Sequence, residues 1–155
     1  MKVLIPFVGK TKESYLDAGI RDYAGRLGRF AVVELPVLKD RHNRREPEET
    51  VKVAEAALLL AQAATASLCV ALDPGGQSLD STALAGWLTQ WEDQGTGAVC
   101  FLIGGYLGLH RSVLERADLT LSLSRLTFTH EMTRLILLEQ LYRAFTIKAG
   151  HNYHK

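Results

Sequence analysis

Valine, isoleucine and leucine concentrate in five runs: KVLIPFV (2–8), FAVVELPV (30–37), SLCVALD (67–73), AVCFLIG (98–104) and DLTLSLS (118–124). Each is of strand length and nearly continuous in apolar residues, the pattern of a strand buried on both faces. Between and after them, helical patterning predicts segments over 12–27, 47–64, 81–93, 110–116 and 129–147. Strand and helix alternate throughout, so an α/β fold is expected, with a parallel sheet carrying helices on both faces. With 155 residues and no internal repeat or low-complexity linker, 1–155 is expected to be a single domain.

The last predicted helix lacks a polar stripe. Met132 and Ile136 point one way, Leu135 and Tyr142 another, Leu138 and Phe145 a third, Leu137 and Leu141 a fourth. Such a helix is either a central core element or one packed against a second copy of the chain, and the small size of the domain favours a homodimer. Glu139 and Arg143 stand four apart in the favourable order and predict an ion pair on the helix surface.

Charge narrows the choice of partner. Lys plus Arg number 18 against 17 Asp plus Glu, a net charge of +1, so no broad basic field exists to coat nucleic acid unaided. Any polyanion has to be met by local patches. The candidates are Lys10, Lys12 and Arg21, with Lys39, Arg41, Arg44 and Arg45 in LKDRHNRREPEET (38–50), a stretch that reads equally as a solvated loop. Both cysteines sit in apolar runs without CxxC spacing and read as core residues of a reducing compartment. His151 and His154 lack a third ligand, so no metal is expected. No cationic leader precedes an apolar run, and no run approaches the ~20 residues that span a bilayer, so a soluble, cytoplasmic protein is expected.

Candidate chemistry collects where strands should end. LIGGYLGLHR (102–111) carries G-G-x-x-G after the fourth run. The spacing misses the dinucleotide fingerprint, because Ile103 stands at its first glycine, and a P-loop is excluded by the missing Gly-Lys-Ser/Thr. Glycines there let a flat, nucleoside-like ligand approach the backbone, or simply make a tight turn. Asp73-Pro74-Gly75-Gly76 after the third run reads as a second turn, and SLSRLTFTHEMTR (122–134) after the fifth as a third loop, with Thr127 or Thr129 capping the final helix. Three strand ends are thus expected to converge on one pocket. The terminal GHNYHK (150–155) reads as a frayed tail, or as one in which Tyr153 stacks on a base beside titratable histidines.

The segments LIGGYLGL and SLSRLTFTHEMTRLILLEQLYRAFTIKAGHNYHK resemble the ribosomal RNA large subunit methyltransferase H family, a small branch of the SPOUT methyltransferases. VGKTKESYLDAGIRDYAGRL and LDPGGQSLDS extend the resemblance over essentially the whole chain. It implies a homodimeric parallel-sheet fold with a C-terminal trefoil knot, against the general rule that connections do not thread loops. It implies S-adenosylmethionine (S-adenosyl-L-methionine) as cofactor and, as methyl acceptor, N3 of a pseudouridine in 23S rRNA of the assembled 70S ribosome. Matched by motif, the cofactor residues are Leu72, Gly104, Leu123, Ser124, Arg125, Leu126, Thr127 and Phe128, with the Gly104 backbone approaching the cofactor. Tyr106 and Asn152 stand where the family often has proline, which bears on turn rigidity and tail geometry.

An imide N3–H is a poor nucleophile until deprotonated, so the catalytic candidates are His154 and His130 as base, Arg143 as stabiliser of charge on the base oxygens and Tyr153 as stacking or hydrogen-bonding partner. Helix capping by His130 and pairing of Arg143 with Glu139 are the structural alternatives. A tail reaching across a dimer would split the site between subunits. Two rivals remain: a non-catalytic nucleotide-binding or ribosome-associated module, and a SPOUT methyltransferase acting on tRNA.

Overall fold

The computed structural model describes residues 1–40 and 45–155; Arg41 and Arg44 lie outside the described residues. The elements are β1 (Lys2–Leu4), β2 (Phe7–Val8), α1 (Ser14–Leu27), β3 (Val32–Glu34), β4 (Val37–Leu38), α2 (Glu48–Ala63), β5 (Leu68–Ser78), α3 (Ser81–Asp93), β6 (Ala98–Leu102), α4 (Arg111–Arg116), β7 (Leu119–Ser122) and α5 (His130–Lys148). Five strands form one sheet in the order β3-β1-β6-β5-β7, parallel at every pairing. Side chains alternate across it. Val3, Ile5, Val70, Leu72, Val99 and Phe101 pack into the core beneath α1, α3 and α5, while Leu4, Cys69, Ala71, Cys100 and Leu102 face α2 and α4. Both faces are covered, which is why the runs carry no polar alternation.

Two of the five runs are not single strands. Pro6 and Pro36 have no N–H to donate, so β1 and β3 leave the main sheet at these positions. The two chains stay side by side across the break: the Ile5 N–H donates to Glu34 O at 2.9 Å and the Phe7 N–H to Pro36 O at 2.9 Å. Beyond it they pair again as the small parallel sheet of β2 and β4.

Asp73-Pro74-Gly75-Gly76 is not a turn that ends the third run but a bulge inside β5. Leu72 and Gln77 both register with Leu121 of β7, so the four residues between them have no counterpart opposite. Asp73 Oδ1 holds the Gly75 N–H at 2.8 Å, and a Cβ on Gly76 would lie 2.7 Å from the Thr120 carbonyl carbon. The bulge pushes residues 73–76 out toward the end of the sheet, where they help to form the site.

α5 is a core helix, packed between α1 and α3. Gly19 of α1 makes room for it: a Cβ there would sit 2.9 Å from Leu135 Cδ1. Arg134 of α5 is 1% exposed. Its guanidinium donates to Thr11 Oγ1 at 3.0 Å and Val8 O at 2.8 Å, and lies 4.5 Å from the centre of the Phe7 ring. It ties α5 to β2 and to the chain entering α1. Arg134→Leu, which deletes these bonds and strands the Val8 carbonyl, is expected to cost about 2–4 kcal/mol and roughly 5–15 °C in melting temperature, read by thermal denaturation.

The tail is not frayed. Gly150 takes φ +69°, and the N–H groups of Gly150 and His151 return to Ile147 O at 3.0 Å and Thr146 O at 2.9 Å, a Schellman close to α5. His151 then lies edge-on to Phe30, with ring centres 5.6 Å apart. Cys69 and Cys100 are free and buried, and burial pushes the Cys100 thiol up to about 12. No helix among the described residues is long and apolar enough to cross a membrane.

Candidate functional site

A cavity of about 540 Å³ opens at the carboxyl ends of β5, β6 and β7, where loops of a parallel sheet gather around a crevice. β5 contributes Leu72, Asp73 and Pro74, the β6 end Ile103 to Tyr106 with Gly108 and Leu109, and the loop after β7 Leu123, Ser124, Leu126, Thr127 and Phe128. The start of α1 adds Glu13, Tyr15 and Leu16, and the start of α5 adds His130, Glu131 and Thr133. Six leucines, Ile103 and Phe128 supply much of the apolar wall, with the backbone of Gly104, Gly105 and Gly108 between them, as a flat base needs. Leu126, Tyr15 and Tyr106 are 73%, 65% and 54% exposed and give the mouth an apolar rim.

The glycine turn owes its composition to the chain itself. Gly105 and Gly108 form an isolated antiparallel bridge, the Gly108 N–H donates to Gly105 O at 3.0 Å, and Gly108 takes φ +80°. A Cβ on Gly104 would fall 2.4 Å from the Gly108 carbonyl carbon and 2.7 Å from Leu109 N. Gly104 is therefore required by the return of its own chain. Tyr106 occupies the second position of the turn, where proline is also accommodated.

The loop after β7 is held by short polar contacts. Ser122 Oγ donates to Ser124 O, and Ser124 Oγ accepts the Leu126 N–H, both at 3.0 Å. Thr129, not His130, caps α5, its Oγ1 accepting the Met132 N–H at 3.2 Å. Glu131 Oε1 accepts from the Lys12 N–H at 2.5 Å and the Glu13 N–H at 3.2 Å, fixing the entry to α1 beside the cavity.

Of the eight residues matched to a cofactor site, Leu72, Gly104, Leu123, Ser124, Leu126, Thr127 and Phe128 line this cavity together. Arg125 is exposed and does not line it. Among the catalytic candidates only His130 does, half-buried, its imidazole held below its usual pKa by burial and then by Arg134, so that it stays neutral and able to accept a proton. Arg143, Tyr153 and His154 do not. Arg143 lies thirteen positions beyond His130 on α5, about 20 Å along the axis.

The tail residues make a cluster of their own. The Tyr153 hydroxyl lies 3.1 Å from Tyr23 Oη and 3.1 Å from Glu139 Oε1, and its ring meets Tyr142 edge-on at 4.8 Å. Arg143 pairs with Glu139 as its spacing predicts, and its guanidinium also covers the Tyr153 ring at 4.8 Å. Burial, the Tyr23 bond and Glu139 all push the Tyr153 phenol up, so it remains a donor at neutral pH. His154 is exposed. Lys10 and Lys12 border the cavity region, Lys39 is exposed, and Arg21 pairs with Asp17 at 2.7 Å.

A second cavity of about 200 Å³ adjoins the first and shares Gly105, Tyr106, His130 and Glu131 with it. Its wall includes Glu55 of α2, a carboxylate only 3% exposed. The Gly105 N–H bonds to Glu55, while burial and then Asp40 push the carboxyl up from its ordinary range. Sequence reasoning missed Glu55, Arg134 and Tyr23. The first two carry a legible signal: Glu55 falls in the buried stripe Val51, Glu55, Leu59, and Arg134 in the stripe Arg134, Leu137, Leu138, Leu141. Tyr23 has none, because its partner comes from the far end of the chain.

A family model described as predicted SPOUT methyltransferase matches residues 1–154. The ribosomal RNA large subunit methyltransferase H of Desulfotalea psychrophila is 48% identical over 155 residues, and that of Acetivibrio thermocellus 42% over 159, each alignment covering all of both chains. The chain belongs to the ribosomal RNA large subunit methyltransferase H family. It is thus a SPOUT methyltransferase, with S-adenosylmethionine as cofactor. The fold agrees: a probable methyltransferase from Bordetella pertussis superposes with a TM-score of 0.58 at 17% identity, covering 93% of this chain and 95% of that one. A probable methylase family protein from Haemophilus influenzae gives 0.56 at 11% identity, over 99% and 70%. Among the described residues no cluster of His, Cys, Asp or Glu could hold a metal ion.

Proposed function

We propose that this methyltransferase transfers the cofactor's methyl group to N3 of a pseudouridine in 23S rRNA of the assembled ribosome, in the cytoplasm and as a homodimer. The observation that carries the reading is the apolar crevice at three parallel strand ends, lined by seven of the eight residues matched to the cofactor site. Its size and its backbone-rich, largely apolar walls suit an adenosine. Leu72, Leu123, Ser124, Leu126, Thr127 and Phe128 would hold the cofactor, with Gly104 allowing the turn that shapes the floor. The family resemblance adds a C-terminal trefoil knot and the choice of nucleotide.

The cofactor supplies an electrophilic methyl group on a sulfonium. What remains for the protein is to place the acceptor nitrogen in line, keep water out, and favour the deprotonated imide. His130, neutral at the edge of the crevice, is placed to take a proton. Arg143 stands about 20 Å along α5 from it in the same chain, and Tyr153 and His154 do not line its crevice. In a dimer, the tail cluster of one copy can complete the crevice of the other: Tyr153 to stack on or hydrogen-bond the base, Arg143 to stabilise charge on its oxygens, His154 to serve as the alternative base. The near-zero net charge suits a composite ribosomal surface better than free RNA bound by counterion release.

The test is transfer of labelled methyl to intact 70S ribosomes, isolated large subunits and free ribosomal RNA. Label on pseudouridine N3 in 70S ribosomes is expected, with little in free RNA. Cofactor binding without transfer to any ribosomal substrate would overturn the enzyme reading, and label on tRNA alone would move the substrate.

A further inference from the structure

Glu55 stands out among the buried groups. It is 97% shielded, and among the described residues its Oε2 has no hydrogen-bond partner. An unpaired carboxylate oxygen in such a place costs free energy that the fold has no reason to bear unless a partner arrives. The oxygen belongs to the wall of the smaller cavity, beside Gly105, and Lys10 and Lys12 stand on the same wall. Gly105 lines the larger cavity as well, so the two spaces meet at the glycine turn. A Cβ on Gly105 would lie 2.7 Å from Oε1 and 2.8 Å from Oε2, which shows how closely the carboxylate is pressed against that turn.

The cavity therefore carries the buried carboxylate of Glu55, with Asp40 and Glu131 also on its lining, together with the two ammonium groups of Lys10 and Lys12, next to a crevice suited to adenosine. The ligand chemistry that matches is a zwitterion joined to a nucleoside: an α-ammonium and an α-carboxylate on a short chain. We propose that the smaller cavity is the subsite for the aminoacyl end of the cofactor, with its ammonium on Glu55 and its carboxylate toward Lys10 and Lys12. This rests on the larger cavity holding the adenosine. Glu55 would then select for the intact cofactor and fix the direction in which the sulfonium faces.

Two ligands separate the roles. S-adenosylhomocysteine carries the aminoacyl end, and 5′-methylthioadenosine keeps the adenosine and sulfur but lacks it. Titration calorimetry of the full chain and its Glu55→Gln variant with both is expected to show S-adenosylhomocysteine weakened at least tenfold and 5′-methylthioadenosine unchanged within twofold. Lys12→Met is expected to weaken S-adenosylhomocysteine alone in the same sense. The unchanged second ligand also reports that the variant is folded. Equal weakening of both ligands would overturn the proposal and make Glu55 a support for the glycine turn. Unchanged affinity for both, with methyl transfer lost, would overturn it in favour of the acceptor base as occupant. Wild-type protein that binds neither ligand would overturn the adenosine assignment of the larger cavity, and this subsite with it.

Discussion

Gly104→Ala is expected to abolish measurable cofactor binding, with affinity down by at least a hundredfold, and to lower stability by about 1–3 kcal/mol. The added methyl would stand 2.4 Å from the Gly108 carbonyl carbon, 2.7 Å from Gly108 O and 2.7 Å from Leu109 N. These are backbone atoms, so no rotamer change relieves the clash. Relief requires opening the Gly105–Gly108 turn, whose 3.0 Å hydrogen bond closes the floor of the crevice. Gly108→Ala is the informative contrast. Its Cβ would meet nothing within 4 Å, and only the φ of +80° is unfavourable, so about 1–2 kcal/mol and a smaller loss of affinity are expected. Calorimetric titration of S-adenosylhomocysteine, beside thermal denaturation, separates the two.

Tyr153→Ala is expected to have the opposite signature: cofactor affinity within twofold of wild type and methyl transfer to ribosomes down by a hundredfold or more. Tyr153 does not line the crevice, so its loss leaves cofactor contacts intact. It is, however, the centre of the tail cluster, where its hydroxyl meets Tyr23 and Glu139 and its ring lies under Arg143. Removing it frees Arg143 from the ring and releases the tail that carries His154. His154→Ala should reduce transfer in the same way while leaving the cluster standing, since His154 is exposed. Binding assays with S-adenosylhomocysteine and transfer assays on 70S ribosomes read the two effects separately.

Much of the sheet was legible because parallel strands buried on both faces leave near-continuous apolar runs, and all five runs contain a strand of the main sheet. The breaks at Pro6 and Pro36 were written in the sequence as missing donors, but a proline does not say that the two chains will re-pair beyond it. The bulge at 73–76 was misread because Pro-Gly-Gly is turn chemistry in isolation. Whether the chain resumes its ladder depends on β7, which lies some 45 residues further on. Strand-end convergence was legible from topology alone. The partner of Tyr153 on α1 and the unpaired oxygen of Glu55 arise from contacts between distant segments, which periodicity does not encode. The tail looked free for the same reason: its anchors, Phe30, Tyr23 and Tyr142, come from three places in the chain.

On the proposed reading, a crevice from one copy and a tail from another make one reacting centre. Mixing two inactive proteins tests it most directly: Gly104→Ala, disabled in the crevice, and Tyr153→Ala, disabled in the tail, unfolded together, refolded and assayed for methyl transfer to 70S ribosomes. If the halves come from different subunits, the mixed dimer holds one intact pairing, and about a quarter of wild-type activity should return, since roughly half the dimers are mixed and each has one working site. Activity no higher than that of the two variants assayed apart, with mixed dimers shown to form, would contradict the claim and place crevice and tail chemistry within a single chain.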